Sequence, residues 1–119
     1  MVVEDHTLVR NLLSKLLSEQ PDIEIVASVS SGSDALSLLR NGLHADIVLA
    51  DLNMPTMNGL ELTRQIRELT QQIQVIILTM QSSVVVFEGA IEAGAKVCVS
   101  KDGSFNDLLT TIRAVNAAA

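Results

Sequence analysis

The 119-residue sequence is almost without aromatic side chains, having two phenylalanines and neither tryptophan nor tyrosine. A core made without large rings has to be assembled from Val, Ile, Leu, Ala and Met. Cysteine is equally scarce: Cys98 stands alone, so no internal disulfide is available and a reducing, cytoplasmic setting is the expected one. Positive charge is short as well, with eight Lys and Arg against fourteen Asp and Glu and a formal net charge of −6. That balance excludes broad phosphate neutralisation as a mode of nucleic-acid binding, which needs a basic face, and points to protein partners instead. No apolar run approaches the roughly 18 residues that a bilayer span requires, and the opening residues lack the charged, apolar and small-residue order of a signal peptide. A soluble chain of one domain is expected over residues 1–119, since about a hundred residues suffice for one core.

What the sequence does contain is a set of short runs rich in Val and Ile, at Met1–Val3, Ile23–Val29, Ile47–Ala50, Val75–Leu78 and Val97–Val99. Most are apolar on consecutive residues, the pattern of strands covered on both faces as in a parallel sheet flanked by helices. Helical spacing fills the gaps. Leu8, Leu12, Leu13, Leu16 and Leu17 precede Pro21; Ala35, Leu36, Leu38 and Leu39 precede Asn41-Gly42; Leu60, Leu62, Ile66 and Leu69 follow Asn58-Gly59; and Leu108, Leu109, Ile112 and Val115 mark a last helix from Asn106 to about Ala117. A helix over Ser82 to Ala93 is expected to be soft, because Val84, Val85 and Val86 are β-branched and Gly89 lies inside it. Of this run, Val84 to Phe87 is expected to be buried. Five strands alternating with five helices give a (βα)5 three-layer α/β sandwich around a parallel five-stranded sheet.

Ligands of open α/β sheets bind beyond the carboxyl ends of the strands. The first strand ends on Glu4-Asp5, the third on Asp51, the fourth on Thr79 and the fifth on Ser100-Lys101. A lone Asp in such a place is usually a helix cap, and a lone Thr or Lys says less. Together they bring three acids, a hydroxyl and an ammonium to one rim. Packed carboxylates repel, and a divalent cation removes that cost. Hard oxygen ligands favour Mg2+ over Zn2+. Lys101 and Thr79 complement a phosphoryl group, and a carboxylate beside them can act as its acceptor. Asp51, on the central strand, is the candidate acceptor. His6 reads as a surface or capping residue, and Cys98 as a buried small hydrophobe.

In VVEDH, VLADLNMPTMNG, VIILT and VSKDGS, from Met1 to about Val115, the sequence resembles the receiver domain of two-component response regulators. The resemblance implies a flavodoxin-like fold with strand order 2-1-3-4-5 and phosphorylation of Asp51 by a sensor histidine kinase. It also implies Mg2+ held by Asp5, Asp51 and the Asn53 carbonyl, with Glu4 acting through water, and phosphoryl oxygens bound by Thr79 and Lys101. Backbone N–H groups at Asn53 and Met80 would assist, and Met54-Pro55 and Gly59 would shape the loop. Lys101-Asp102-Gly103-Ser104, where Lys-Pro is frequent, resembles the branch whose receivers precede a LuxR-type helix-turn-helix domain, and implies a trans bond after Lys101. A homodimer is a further implied state, and DNA would be reached only through an effector domain absent from these residues. Three residues ahead of the acid pair are fewer than the family usually has, which suggests a truncated start or a late initiation site. Cys98 stands where an aromatic is common, so a rotamer relay there is expected to be altered.

Three rivals share parts of the pattern. A haloacid-dehalogenase-type phosphatase also uses an Asp nucleophile at a strand end, but needs a second Asp two residues on as general acid; Asn53 occupies that place and cannot serve. A nucleotide- or flavin-binding flavodoxin-like domain needs a phosphate-cradling loop after the first strand, and EDHTLVR has no glycine. A pseudo-receiver, acting by protein contacts without phosphorylation, would not need all five functional positions filled.

Overall fold

The computed structural model describes residues 1–81 and 83–118. Strands β1 (Val2–Val3), β2 (Ser28–Val29), β3 (Ile47–Asp51), β4 (Gln74–Thr79) and β5 (Val97–Ser100) alternate with helices α1 (Thr7–Ser18), α2 (Gly32–Arg40), α3 (Gly59–Leu69), α4 (Val84–Ala93) and α5 (Phe105–Ala118). All strand pairs are parallel, in the order β2-β1-β3-β4-β5. The order of elements and the sheet are those expected.

Consecutive apolar residues in the strands divide between two cores. Val48, Ala50, Val75, Ile77 and Cys98 face a layer formed by Ala35 and Leu36 of α2, Leu62 and Ile66 of α3 and Ala90 of α4. Leu49, Ile76 and Leu78 face the other way, onto Leu17 of α1 and Leu108, Leu109, Ile112 and Val115 of α5. Side chains alternate along a strand, so burial of both faces demands an unbroken apolar run. Cys98 is buried as expected, and burial pushes its thiol pKa up.

Three expectations need correction. The second strand is two residues long, not the seven of Ile23–Val29. Its partner β1 supplies only Val2 and Val3, so Ile23 to Ala27 have no ladder partner beyond the bond from Val2 N–H to Ala27 O. The α1 stripe is not uniformly inward: Leu17 is buried, whereas Leu8 and Leu12 are exposed. The run Val84 to Phe87 splits, with Val84 and Val85 exposed and Val86 and Phe87 packed on the first core. Of the expected fourth-helix range, Ser82 lies outside the described residues.

The starts of α2, α3 and α4 are set by side-chain caps. Ser31 Oγ accepts from Asp34 N–H, Asn58 Oδ1 from Glu61 N–H and Ser83 Oγ from Val86 N–H. Gly94, at φ 110°, closes α4 in the left-handed conformation that favours glycine. There is no cis peptide among the described residues, so the bond after Lys101 is trans. No helix among them is long and apolar enough to cross a membrane.

Candidate functional site

Parallel register gathers the polar strand ends. Glu4 follows β1 and is tied to β2 by its N–H bond to Val29 O, Asp51 closes β3, and Thr79 closes β4 opposite Ser100. Lys101 N–H donates to Thr79 O at 2.7 Å, which fixes the lysine one step beyond β5. From there its Nζ reaches Glu4 Oε1 at 2.8 Å and Asp51 Oδ1 at 3.0 Å. Glu4 and Asp51 are buried, 1% and 3% exposed, so a single ammonium is shared by two dehydrated carboxylates.

Asp5 lies at the rim, half-buried, and its Oδ1 is shielded from solvent yet accepts no hydrogen bond. One ligand atom from each of Glu4, Asp5, His6 and Asp51 lies within 4.8 Å of every other. An unsatisfied carboxylate oxygen beside two more acids is the donor set that a hard divalent cation takes. These residues fit a metal ion.

The loop from Leu52 to Asn58 folds back over the end of β3. Asn53 N–H points at Asp51 Oδ1 across 3.4 Å, and Gly59 N–H donates to Leu52 O at 2.9 Å. At Gly59 a Cβ would stand 2.6 Å from the Asp51 carbonyl oxygen, so only glycine lets α3 start this close to the strand. Thr56, at φ 69°, sits in the left-handed region, and Met57 N–H closes a tight turn onto Pro55 O at 2.7 Å.

Residues 1–113 match the response regulator receiver domain family. The chain belongs to that family. Over 115 residues the receiver is 33% identical to response regulator UvrY of Escherichia coli (strain K12), covering 97% of this chain and 52% of that protein. Over 114 residues it is 38% identical to the nitrate/nitrite response regulator protein NarP of the same strain, covering 96% and 53%. The chain thus spans about half the length of these curated relatives. Among solved structures, a LuxR-family two-component response regulator from Aurantimonas sp. SI85-9A1 superposes with a TM-score of 0.93 at 33% identity, over 99% of this chain and 84% of that one. A LuxR-family DNA-binding response regulator from Staphylococcus aureus gives 0.87 at 33%, over 97% and 96%.

Within the receiver the charges are unequally held. Burial alone would push the Glu4 carboxyl up, but the Lys101 ammonium and the His6 N–H outweigh it and hold the group at about 2. For Asp51, burial together with the neighbouring Glu4 charge outweighs Lys101, and its pKa is raised. Burial would lower the Lys101 pKa, but the bonds to Glu4 and Asp51 raise it. The lysine therefore remains an ammonium bound foremost to Glu4, the nearer acid.

Each site residue named from the sequence lies on this rim, though not each in the contact expected of it. Thr79 is fully buried, and its Oγ1 accepts from Gln81 N–H at 3.0 Å. Asn53 meets Asp51 through its N–H. Met80 is 58% exposed beside them. Two contacts were not anticipated. His6, expected at the surface or as a cap, is 70% exposed and makes no side-chain cap on α1; its Nδ1 lies 3.5 Å from both Glu4 Oε2 and Asp5 Oδ1. Arg10 donates from Nη1 to Glu4 O at 2.9 Å, pinning the end of β1. The adjacency of His6 to the acid pair was the available signal for the first; the second had none beyond its place one turn into α1.

Proposed function

We propose that Asp51 is the phosphoacceptor of this receiver, taking a phosphoryl group from the phosphohistidine of a sensor histidine kinase. The observation that carries this reading is the Lys101 ammonium bridging Glu4 and Asp51 next to the unsatisfied Asp5 oxygen. An Asp51 carboxylate oxygen forms the new bond to phosphorus while the donor's P–N bond breaks, and the leaving imidazole keeps the electron pair and takes up a proton. Lys101 is within reach of the transferred oxygens and exchanges a carboxylate for a phosphoryl partner. Thr79 accepts from Gln81 N–H, which leaves its own proton to donate to such an oxygen. Asn53 N–H already points at Asp51 and serves the same oxygens.

Glu4, Asp5, Asp51 and the Asn53 carbonyl are the groups proposed to hold Mg2+. The chemistry supplied by such an ion is neutralisation of the negative charge gathered at the acceptor. Catalysis is self-directed, in both phosphorylation and autodephosphorylation. The added charge redistributes Lys101 and Thr79 and shifts the population of the β3–α3 and β4–α4 loops, altering a protein-protein surface. A second copy of the chain is a proposed partner of the modified state. DNA contact is assigned to an output domain outside these 119 residues, in keeping with the net charge of −6.

The test is incubation with Mg2+ and acetyl phosphate, followed by intact mass measurement of the parent and of Asp51→Ala. One base-labile phosphoryl adduct on the parent and none on the variant is expected. An unmodified parent, or an equally modified variant, overturns the assignment, and turnover of phosphate esters would favour the hydrolase.

A further inference from the structure

We propose that His6 makes the acidic pocket a binding site for zinc-class divalent cations, held by His6 Nδ1, Glu4 Oε2 and Asp5 Oδ1 in competition with Mg2+. The proposal rests on the reading that this pocket holds a divalent cation, and it extends that reading to which cations the pocket takes.

The His6 ring nitrogen stands beside two carboxylate oxygens of this cluster. His6 Nδ1 stands 3.5 Å from Glu4 Oε2 and 3.5 Å from Asp5 Oδ1. A tetrahedral ion bound at about 2.0–2.1 Å by nitrogen and oxygen separates its ligand atoms by about 3.4 Å. Octahedral Mg2+ at about 2.0–2.1 Å separates neighbouring ligands by about 2.9 Å and has little use for nitrogen. The two 3.5 Å edges therefore suit the tetrahedral ion better.

The partners of each group leave these atoms available. Glu4 gives Oε1 to Lys101 at 2.8 Å, and its Oε2 accepts from the His6 N–H at 3.2 Å. Asp5 Oδ1 is buried and accepts no hydrogen bond. The His6 ring is 70% exposed at the start of α1, free to turn towards the acids, and Asp51 lies within 4.8 Å as a fourth donor. An imidazole in an otherwise all-oxygen site raises affinity for Zn2+, Ni2+ and Cu2+ far more than for Mg2+. The three carboxylates alone would discriminate far less in this direction.

The test is calorimetric titration of Zn2+ and of Mg2+ into the parent, His6→Asn and His44→Asn. Asn is a favoured residue at a helix N-cap, so α1 keeps its start. His44, whose Nε2 lies 3.3 Å from Asp46 Oδ1, controls for ordinary surface binding. His6→Asn is expected to weaken Zn2+ binding by about tenfold or more while changing Mg2+ affinity by less than about twofold. Saturating Mg2+ should weaken the apparent Zn2+ affinity of the parent, and Zn2+ should shift the His6 imidazole 15N resonances. Equal Zn2+ affinity in parent and His6→Asn, loss in His44→Asn instead, or Zn2+ binding indifferent to Mg2+ in a protein that does bind Mg2+ would overturn the proposal. A Zn2+ difference that persists where no protein binds Mg2+ removes the Mg2+ assignment and leaves His6 as a ligand.

Discussion

Replacing Gly59 by alanine puts one methyl group where the structure has no room for it. The new Cβ would lie 2.6 Å from the Asp51 carbonyl oxygen, 3.1 Å from Leu52 Cα and 3.2 Å from the Asp51 carbonyl carbon, all of them backbone atoms. Ordinary contact begins near 3.4 Å, so α3 and the end of β3 must separate by about 0.8 Å. Overpacking of this kind costs about 1–3 kcal/mol, and the backbone nature of the obstacle places it in the upper half. The Gly59 N–H bond to Leu52 O, 2.9 Å long, is strained by the same movement and contributes about 1 kcal/mol. Against this stands the better helix propensity of alanine, worth at most about 1 kcal/mol and less in a first turn. The net expectation is a loss of about 2–3 kcal/mol. Gly89→Ala is the companion, because its Cβ would meet nothing nearer than Leu60 Cδ1 at 4.0 Å and it lies inside α4. That substitution should gain roughly 0.5–1 kcal/mol. Urea unfolding of the three proteins, with unchanged m-values, measures both. A Gly59→Ala loss below about 0.5 kcal/mol, or the same sign for both substitutions, would refute the close approach on which the Asp51 loop is built.

Lys101→Met leaves Glu4 and Asp51 buried together without their cation, and should destabilise the metal-free protein by about 3 kcal/mol, with part of the loss recovered on adding Mg2+. Urea midpoints with and without Mg2+ check it, and no recovery would argue against a cation site beside these acids. In metal-free buffer the depressed Glu4 pKa, about 2 against an ordinary 4.5, contributes stability that is present above pH 4.5 and lost as pH falls towards 2. The raised Asp51 pKa acts oppositely, contributing most at low pH and losing that contribution as pH rises through the folded value. Carboxyl 13C titration should show Glu4 protonating last and Asp51 early as acid is added, and the reverse order would refute the assignment of Lys101 to Glu4 foremost. Thr56→Gly removes a β-branched residue from φ 69° and should raise stability by roughly 0.5–1 kcal/mol, after the larger chain entropy of glycine is set against the relieved strain. Thermal or urea unfolding decides, and a destabilised variant would show that the Thr56 side chain contributes more than its backbone costs.

The strands β3, β4 and β5 were legible because burial on both faces leaves no other composition open to them, and the rim followed from asking what each run ends on. The length of β2 was not legible, since Ile23, Ile25, Val26 and Ala27 are residues a strand could use and lack only a neighbour, which is a property of β1. Helix faces failed for a different reason. Leu17 is nine residues on from Leu8 and so about 180° around the helix from it, which leaves Leu8 exposed when Leu17 is buried, and Val84 and Val85 adjoin Phe87 in sequence but are exposed while it packs on the core. At the site, residue types were enough to nominate Asp51, Thr79 and Lys101. Which acid holds the lysine was not, because the 2.8 Å contact between Lys101 and Glu4 joins residues 97 apart in the chain. His6 was expected at the surface or as a cap; its ring is exposed, and only the three-dimensional structure places its Nδ1 3.5 Å from two carboxylates.

The two buried acids have unequal roles because of how the lysine is shared. If Lys101 belonged wholly to Asp51, the acceptor would be a satisfied ion pair, and a phosphoryl group would have to displace its only counter-charge. Held by Glu4 at 2.8 Å and reaching Asp51 at 3.0 Å, the ammonium would stay in place on the proposed modification of Asp51, and could turn from the carboxylate to the new oxygens without leaving its first partner. Burial then works in the same direction. It destabilises the Asp51 anion, leaves Glu4 ionised, and so concentrates the unmet demand for positive charge at the proposed acceptor. On the proposed reading, a cation at Asp5 relieves that demand in the resting protein, and the arriving phosphoryl group renews it one bond further out, where Lys101, the Thr79 hydroxyl and the Asn53 N–H are donors. A substitution that neutralises Glu4 while keeping its shape, Glu4→Gln, should therefore let Lys101 settle on Asp51 and slow phosphorylation without removing any group that touches the phosphoryl oxygens. An unchanged rate with acetyl phosphate at saturating Mg2+ would show that Glu4 serves only to hold the fold.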